Sequence, residues 1–256
     1  MNHSLKRRDF LAATVAAAAG APLVKAEGKS SQMSTSNTPL EVVIYLYPGM
    51  TALDAVGTYE ALRGLANVKI RFVAKERGLV RMDSQMLSLN ADQAIREIDK
   101  ADILVLPGGL TTPAQLQDKE LLAWVRQIHE KSKWTTSVCS GSLILGAAGL
   151  LKGLDATSHW LALDALKMFG AKPTKQRVVR QGKIITAAGV SAGIDMALTL
   201  VALESGEENA KAIQLTMEYD PQPPFDSGSV AKATPATIEK AKAFLAEGTR
   251  VATGAK

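Results

Sequence analysis

Apolar residues fall along this chain in two alternating rhythms. Val42-Val43-Ile44-Tyr45-Leu46 and Ile103-Leu104-Val105-Leu106 are unbroken runs, closed by Pro48-Gly49 and by Pro107-Gly108-Gly109. Short continuous runs bounded by turn residues predict strands buried on both faces of a parallel sheet. Residues 68–73 and 134–138 read as further strands. Between them the rhythm lengthens to helical spacing. Residues 52–62 predict a helix ending at Gly64. Asp118 is a good N-cap for one that runs to Lys131 with Leu121, Leu122, Val125 and Ile128 on one face.

The second half continues the alternation. Residues 142–150 read as a small-residue helix, and residues 160–169 as an amphipathic one stopped by Gly170. A hairpin is predicted over residues 177–186 around Gln181-Gly182. Ser191 is positioned to cap a helix carrying Ile194, Met196, Leu198 and Leu200, and Thr234-Pro235 opens a last helix. The alternation of Met82, Ser84, Met86 and Ser88 suggests a short peripheral hairpin. Strands alternating with helices predict an α/β fold, a doubly wound and mostly parallel sheet with helices on both faces. Ligands of such sheets bind beyond the C-terminal strand ends, which singles out residues 47–54, 107–112 and 139–142.

Composition bounds this picture. The chain has 256 residues, 46% of them hydrophobic, enough for one generous α/β domain. Its formal charge of +5 would favour an anionic partner if it belonged to the folded body. Residues 1–26 hold Lys6, Arg7, Arg8 and Lys25 against Asp9, so setting them aside leaves about +2, and a nucleic-acid partner is not expected. Those residues have the layout of an export signal: a basic start, an apolar stretch from Phe10 to Ala21 shorter than the ~20 residues of a bilayer span, and small residues around Val24-Lys25-Ala26. Lys6-Arg7-Arg8-Asp9-Phe10-Leu11 resembles a twin-arginine signal, which predicts a periplasmic protein with no stable membrane association once the signal is removed. Residues 27–39 read as a polar, disordered leader, so residues 40–256 are expected to form the single folded domain.

Cys139 is the only cysteine, so no internal disulfide is available to it. A free cysteine is commonly a small buried hydrophobe. Here an apolar strand gives way to Cys139-Ser140-Gly141-Ser142 and a helix, a turn that sets the sulfur beside unpaired backbone N–H groups. Such a turn predicts a thiol whose pKa falls from about 8.5 toward about 3.5–7.5. The arrangement is that of a nucleophile elbow.

Thr136-Ser137-Val138-Cys139-Ser140-Gly141-Ser142, Gly146-Ala147-Ala148-Gly149-Leu150-Leu151 and Ala156-Thr157-Ser158-His159-Trp160 together resemble the ThiJ/PfpI superfamily, whose fold is flavodoxin-like. Leu53-Asp54, Leu106-Pro107-Gly108-Gly109, Ala192-Gly193-Ile194-Asp195 and Glu218-Tyr219-Asp220-Pro221 extend the likeness over residues 42–229, nearest to the isonitrile hydratase subgroup. The resemblance implies Cys139 as nucleophile and Asp54 as its acid/base partner, adding water to a small isonitrile to give an N-substituted formamide. It also implies a homodimer and no cofactor. Backbone N–H groups of Gly108, Gly109 and Ser140 are the candidate oxyanion and substrate contacts. His159 either approaches the cysteine pocket or is satisfied by backbone at a helix start. Asp195 reads as a dipole-compensating carboxylate, and His129 as solvent-facing.

Ser140 stands where the subgroup has threonine, a change that bears on pocket shape. No histidine follows Cys139, which disfavours a protease, glyoxalase or deglycase. A redox sensor or holdase with an oxidisable Cys139 uses the same residues. A DNA-binding regulator would need a helix-turn-helix module, for which the ~25 residues past Ser229 are too few. The histidines lack metal-ligand spacing, and Gly108-Gly109 lacks the pattern of a phosphate loop.

Overall fold

A computed structural model describes residues 38–254. The predicted export signal and all but the last two residues of the leader lie outside the described residues. The first apolar run forms β1 (Leu40–Tyr45), followed by α1 (Ala52–Leu62), β2 (Val68–Ala74), a hairpin of β3 (Gly78–Arg81) and β4 (Ser88–Ala91), and a two-residue β5 (Gln93–Ala94). Then come β6 (Ile103–Leu106), a short α2 (Thr112–Gln115), α3 (Lys119–Lys131), β7 (Trp134–Val138), α4 (Gly141–Ala147), and the small pair β8 (Asp155–Ala156) and β9 (Lys172–Pro173). The chain closes with β10 (Val178–Gln181), β11 (Ile184–Ala187), α5 (Ala192–Ser205), α6 (Glu207–Thr216) and α7 (Pro235–Thr253).

Seven strands make one sheet in the order β10-β11-β7-β6-β1-β2-β5. Every pairing in it is parallel except β10 with β11. The expected doubly wound, mostly parallel sheet is therefore what forms. Every residue of β6 is buried, as its unbroken apolar run requires, and so is every residue of β11, including Thr186. α5 packs on α1 and α6, while α4 packs on α2 and α3. From β1 the chain moves outward to β2 in one direction, and from β6 outward to β7 in the other. The switch between β1 and β6 is thus where a crevice opens beyond the strand ends.

Three local expectations change, while the peripheral hairpin expected around Met82 to Ser88 forms as β3 and β4, its connection turning at Gln85 with a left-handed φ of 61°. Met82 is fully buried while Met86 is exposed, so the alternation records a turn's inside and outside. The helix expected over 160–169 shrinks to a 3-10 turn at Asp164–Phe169, ended as foreseen by Gly170 in the left-handed region. The helix after Cys139 stops at Ala147, with Gly149 at φ 83° just beyond it. Ser191 does not cap α5 through its side chain; its Oγ accepts from the Arg177 guanidinium instead. By contrast Asp118 caps α3, accepting from the Glu120 and Leu121 amides, and Thr234 caps α7. The short α2 and all of α6 carried no pattern strong enough to read from sequence.

Candidate active site

Cys139 follows the last residue of β7 and takes φ 58°, a conformation that costs an L-residue about 1–2 kcal/mol. The turn is overdetermined on every side. The Cys139 amide donates to the Ala188 carbonyl at 2.8 Å, and its own carbonyl accepts from Ser158 Oγ at 3.0 Å and Ser142 Oγ at 3.3 Å. Close approach of backbones requires glycine at two places. A Cβ on Gly141 would lie 2.0 Å from the Leu106 carbonyl oxygen, and one on Gly108 would lie 2.4 Å from the Ser140 amide nitrogen. The loops after β6 and β7 therefore touch backbone to backbone.

Asp54 sits in the first turn of α1 and is fully buried. Its Oδ2 accepts the Gly108 N–H at 2.8 Å, across the switch between β1 and β6. Burial, reinforced by Asp83 against the Gly108 hydrogen bond, pushes its carboxyl up to about 8, so it holds its proton at neutral pH. Asp54 and Cys139 perturb one another, yet Asp54 Oδ1 makes no formed hydrogen bond with any described group. Oδ1 is buried without a partner, and Asp54 is not among the residues that line the pocket beside Cys139, so the carboxyl acts on that pocket through its coupling to the thiol.

The thiol departs from expectation. Burial first, and the neighbouring Asp54 second, push Cys139 up to about 12, against the opposing pull of the Ser140 and Val190 backbone N–H groups and the Ser140 hydroxyl. Desolvation outweighs the N-terminus of a two-turn helix. At neutral pH the resting pair is therefore a carboxylic acid beside a thiol, both uncharged.

The candidate N–H donors divide. Gly108 N–H is committed to Asp54, and Gly109 N–H donates to Ser140 Oγ at 3.0 Å, so neither is free to meet an oxyanion. The Ser140 and Val190 N–H groups each draw the thiol's pKa down, and the sequence reading did not select Val190. Val190 follows β11, the strand beside β7, so the strand-end rule pointed to it. Tyr47 and Thr112 were likewise missed. Tyr47 Oη lies 2.9 Å from Thr112 Oγ1, which lies 2.8 Å from Ser140 Oγ, and this buried chain fixes the serine hydroxyl.

His159 is drawn toward the same place. The Thr157 amide donates to Thr186 Oγ1 on β11 and Ser158 holds the Cys139 carbonyl, so the segment lies over the strand ends. His159 shares a pocket of about 470 Å³ with Cys139, Ser140 and Val190, within the range of small-molecule sites. Its Nδ1 accepts from the Leu161 amide, and burial lowers its pKa, so it is a neutral imidazole at pH 7. His129 is half-buried, correcting the solvent-facing expectation; its Nδ1 lies 2.9 Å from Thr135 Oγ1. Asp195 is bound by Arg177 and by the Tyr219 hydroxyl, outside the pocket wall. α7, which no motif assigned to the site, supplies one side of the pocket through Lys242, Leu245, Ala246 and Thr249. Among the described residues no group of three or more His, Cys, Asp or Glu side chains could hold a metal, and no helix is long and apolar enough to cross a membrane.

Set against known proteins, residues 40–203 match the family described as the DJ-1/PfpI family. An isonitrile hydratase from Pseudomonas putida is 40% identical over 79% of this chain and 89% of its own length. The transcriptional regulator CdhR of Pseudomonas aeruginosa is 30% identical over 68% of this chain, which spans 53% of that longer protein. A crystal structure of a ThiJ/PfpI family protein from Pseudomonas syringae superposes with a TM-score of 0.79 at 41% identity, covering 90% of this chain and 96% of that one.

Proposed function

The chain belongs to the DJ-1/PfpI family, and we propose that within it this protein hydrates a small isonitrile to an N-substituted formamide, with Cys139 as nucleophile and Asp54 as acid/base. The observation that carries the reading is the buried, protonated Asp54, with one oxygen committed to Gly108, the other buried and unpaired, and the carboxyl coupled to the Cys139 thiol. Likeness to the Pseudomonas putida enzyme supports the choice of substrate class.

The chemistry follows from a neutral pair. Cys139 Sγ attacks the terminal isonitrile carbon; as the C–S bond forms, the thiol proton passes to Asp54 and the Asp54 proton passes to that carbon. The product is a thioimidate, R–N=CH–S–Cys139. Water then adds to the same carbon while Asp54 moves its proton to the imine nitrogen. Collapse of R–NH–CH(OH)–S breaks the C–S bond, the hydroxyl proton returns through Asp54 to sulfur, and R–NH–CHO leaves. The Ser140 and Val190 N–H groups stabilise charge on sulfur as it comes and goes. A thiol raised to about 12 suits this exchange better than a redox sensor, which needs a standing thiolate.

The test is formamide formation from alkyl and aryl isonitriles by wild type, Cys139→Ala and Asp54→Asn. Turnover by wild type about a thousandfold or more above Cys139→Ala is expected. Wild type no faster than the two variants ends the hydratase reading. Export by the twin-arginine route remains part of the proposal, checked by whether residues 1–26 carry a folded reporter to the periplasm. Homodimerisation is checked by sedimentation.

A further inference from the structure

The pocket above Cys139 is mostly apolar, and α7 gives it a single charge. Lys242, Leu245, Ala246 and Thr249 meet it at i, i+3, i+4 and i+7, one face of the helix. The other polar groups of the wall are already engaged or neutral. Thr249 Oγ1 donates to the Leu245 carbonyl at 2.8 Å, Thr112 and Ser140 hydroxyls are tied to one another and to Gly109, and Thr51 Oγ1 donates to Asp83. His159 is uncharged at neutral pH. Among the described residues that line the pocket, Lys242 is thus the one cationic side chain, and none carries a carboxylate.

Its ion-pair partner is Glu239, 2.8 Å away and one turn back on the same helix, with side chains 47% and 71% exposed. Exposed pairs of this kind contribute little, so a ligand anion can take the place of Glu239. Leu143, Leu161 and Leu245 line the same pocket as Lys242 and Cys139 and make its wall largely apolar.

We propose that Lys242 selects substrates carrying a carboxylate at the end of a compact apolar body, remote from the reacting carbon. For the hydration proposed above, on which the identity of the reacting group rests, the substrate class is then an acidic isonitrile. The preference for the anion rests on the pocket alone.

Two arms separate those dependencies. In the first, hexanoate and hexanamide are titrated into full-length protein and followed by NMR shifts of the amides lining the pocket. Hexanoate is expected to bind about three- to fivefold more tightly than hexanamide in wild type, equally in Lys242→Met, which keeps the apolar stem, and more weakly in Lys242→Glu. The wild-type preference should shrink in 1 M salt. Equal affinities in wild type, a preference retained by Lys242→Met, or no saturable shift with either ligand each overturn the proposal. In the second arm, kcat/KM is compared for 6-isocyanohexanoate and hexyl isonitrile, and the same ratio and the same loss in Lys242→Met are expected. If neither isonitrile is turned over while hexanoate keeps its preference, the hydratase reading fails and the anion site stands.

Discussion

The two sides of the pocket are built to different standards. On the side of the strand ends, Asp54 is fully buried, Cys139 is 6% exposed, and neighbouring backbones approach so closely that Gly108 and Gly141 have no room for a methyl group. On the opposite side α7 has no fully buried residue. It lies against the domain through a half-buried stripe, Ile238, Ala241, Leu245, Gly248, Thr249 and Ala252, while Phe244 and Val251 face outward. Reacting atoms must be held within tenths of an ångström, and only interlocked backbone does that. Recognition of a substrate's far end tolerates a looser wall, and such a wall can change its side chains without disturbing the chemistry.

The largest expected break in this contrast is at Asp54. Asp54→Asn keeps an acceptor for the Gly108 N–H but cannot exchange a proton, so turnover should fall about 10²- to 10⁴-fold with structure intact. Wild-type turnover should itself decline as pH rises through about 8, where the acid form is lost, and a profile flat across that range would remove Asp54 as the acid. Next comes a matched pair of Gly→Ala changes, one on each side. At Gly141 the new methyl meets the fixed Leu106 carbonyl, and a loss of about 3 kcal/mol or more is expected in chemical denaturation. At Gly248 it meets only the Cδ1 end of Leu110, which can turn aside, and a helix interior favours alanine, so the change should lie within about 1 kcal/mol of neutral. Equal losses at both would show the two sides to be equally rigid.

Asp54 also leaves a signature in stability. Its carboxyl ionises near 4 when unfolded but near 8 when folded. The unfolded chain thus binds fewer protons between those values, and the fold weakens as pH rises through that window. The stability this group contributes is full below about 4 and gone above about 8, on the order of a few kcal/mol, and Asp54→Asn should flatten that slope in urea titrations. The smallest effect tests the strained turn. Cys139→Gly should unfold about 1 kcal/mol less readily than Cys139→Ala, because glycine accepts φ 58° without penalty, and both should be inactive. An alanine variant of equal or greater stability would mean the turn stores no strain.

Much of the strand-end side was legible from the chain alone. The runs at β1 and β6, the helix capped by Asp118 and the turn after Cys139 announce themselves because burial on both faces, capping and tight turns each leave a local mark. Failures occurred where a local mark had two meanings. The spacing at 160–169 looked helical but stays a 3-10 turn, and Ser191 looked like a helix cap but accepts from the Arg177 guanidinium.

What the sequence by itself determined is the fold class, the loop that carries Cys139 and, through resemblance, Asp54 as its companion. Only the tertiary structure decided how those groups are charged and who else meets them. The Asp54 to Gly108 bond joins residues 54 positions apart, and the Gly109 to Ser140 bond spans 31. Those bonds withdrew two expected N–H donors, brought forward Val190, and let burial raise the thiol that the helix terminus was expected to lower. α7 reached the pocket with no motif at all. A residue's partners within a turn or a strand are written in its neighbours, whereas desolvation and the commitment of donors depend on which distant loops converge, and that is fixed only when the sheet closes.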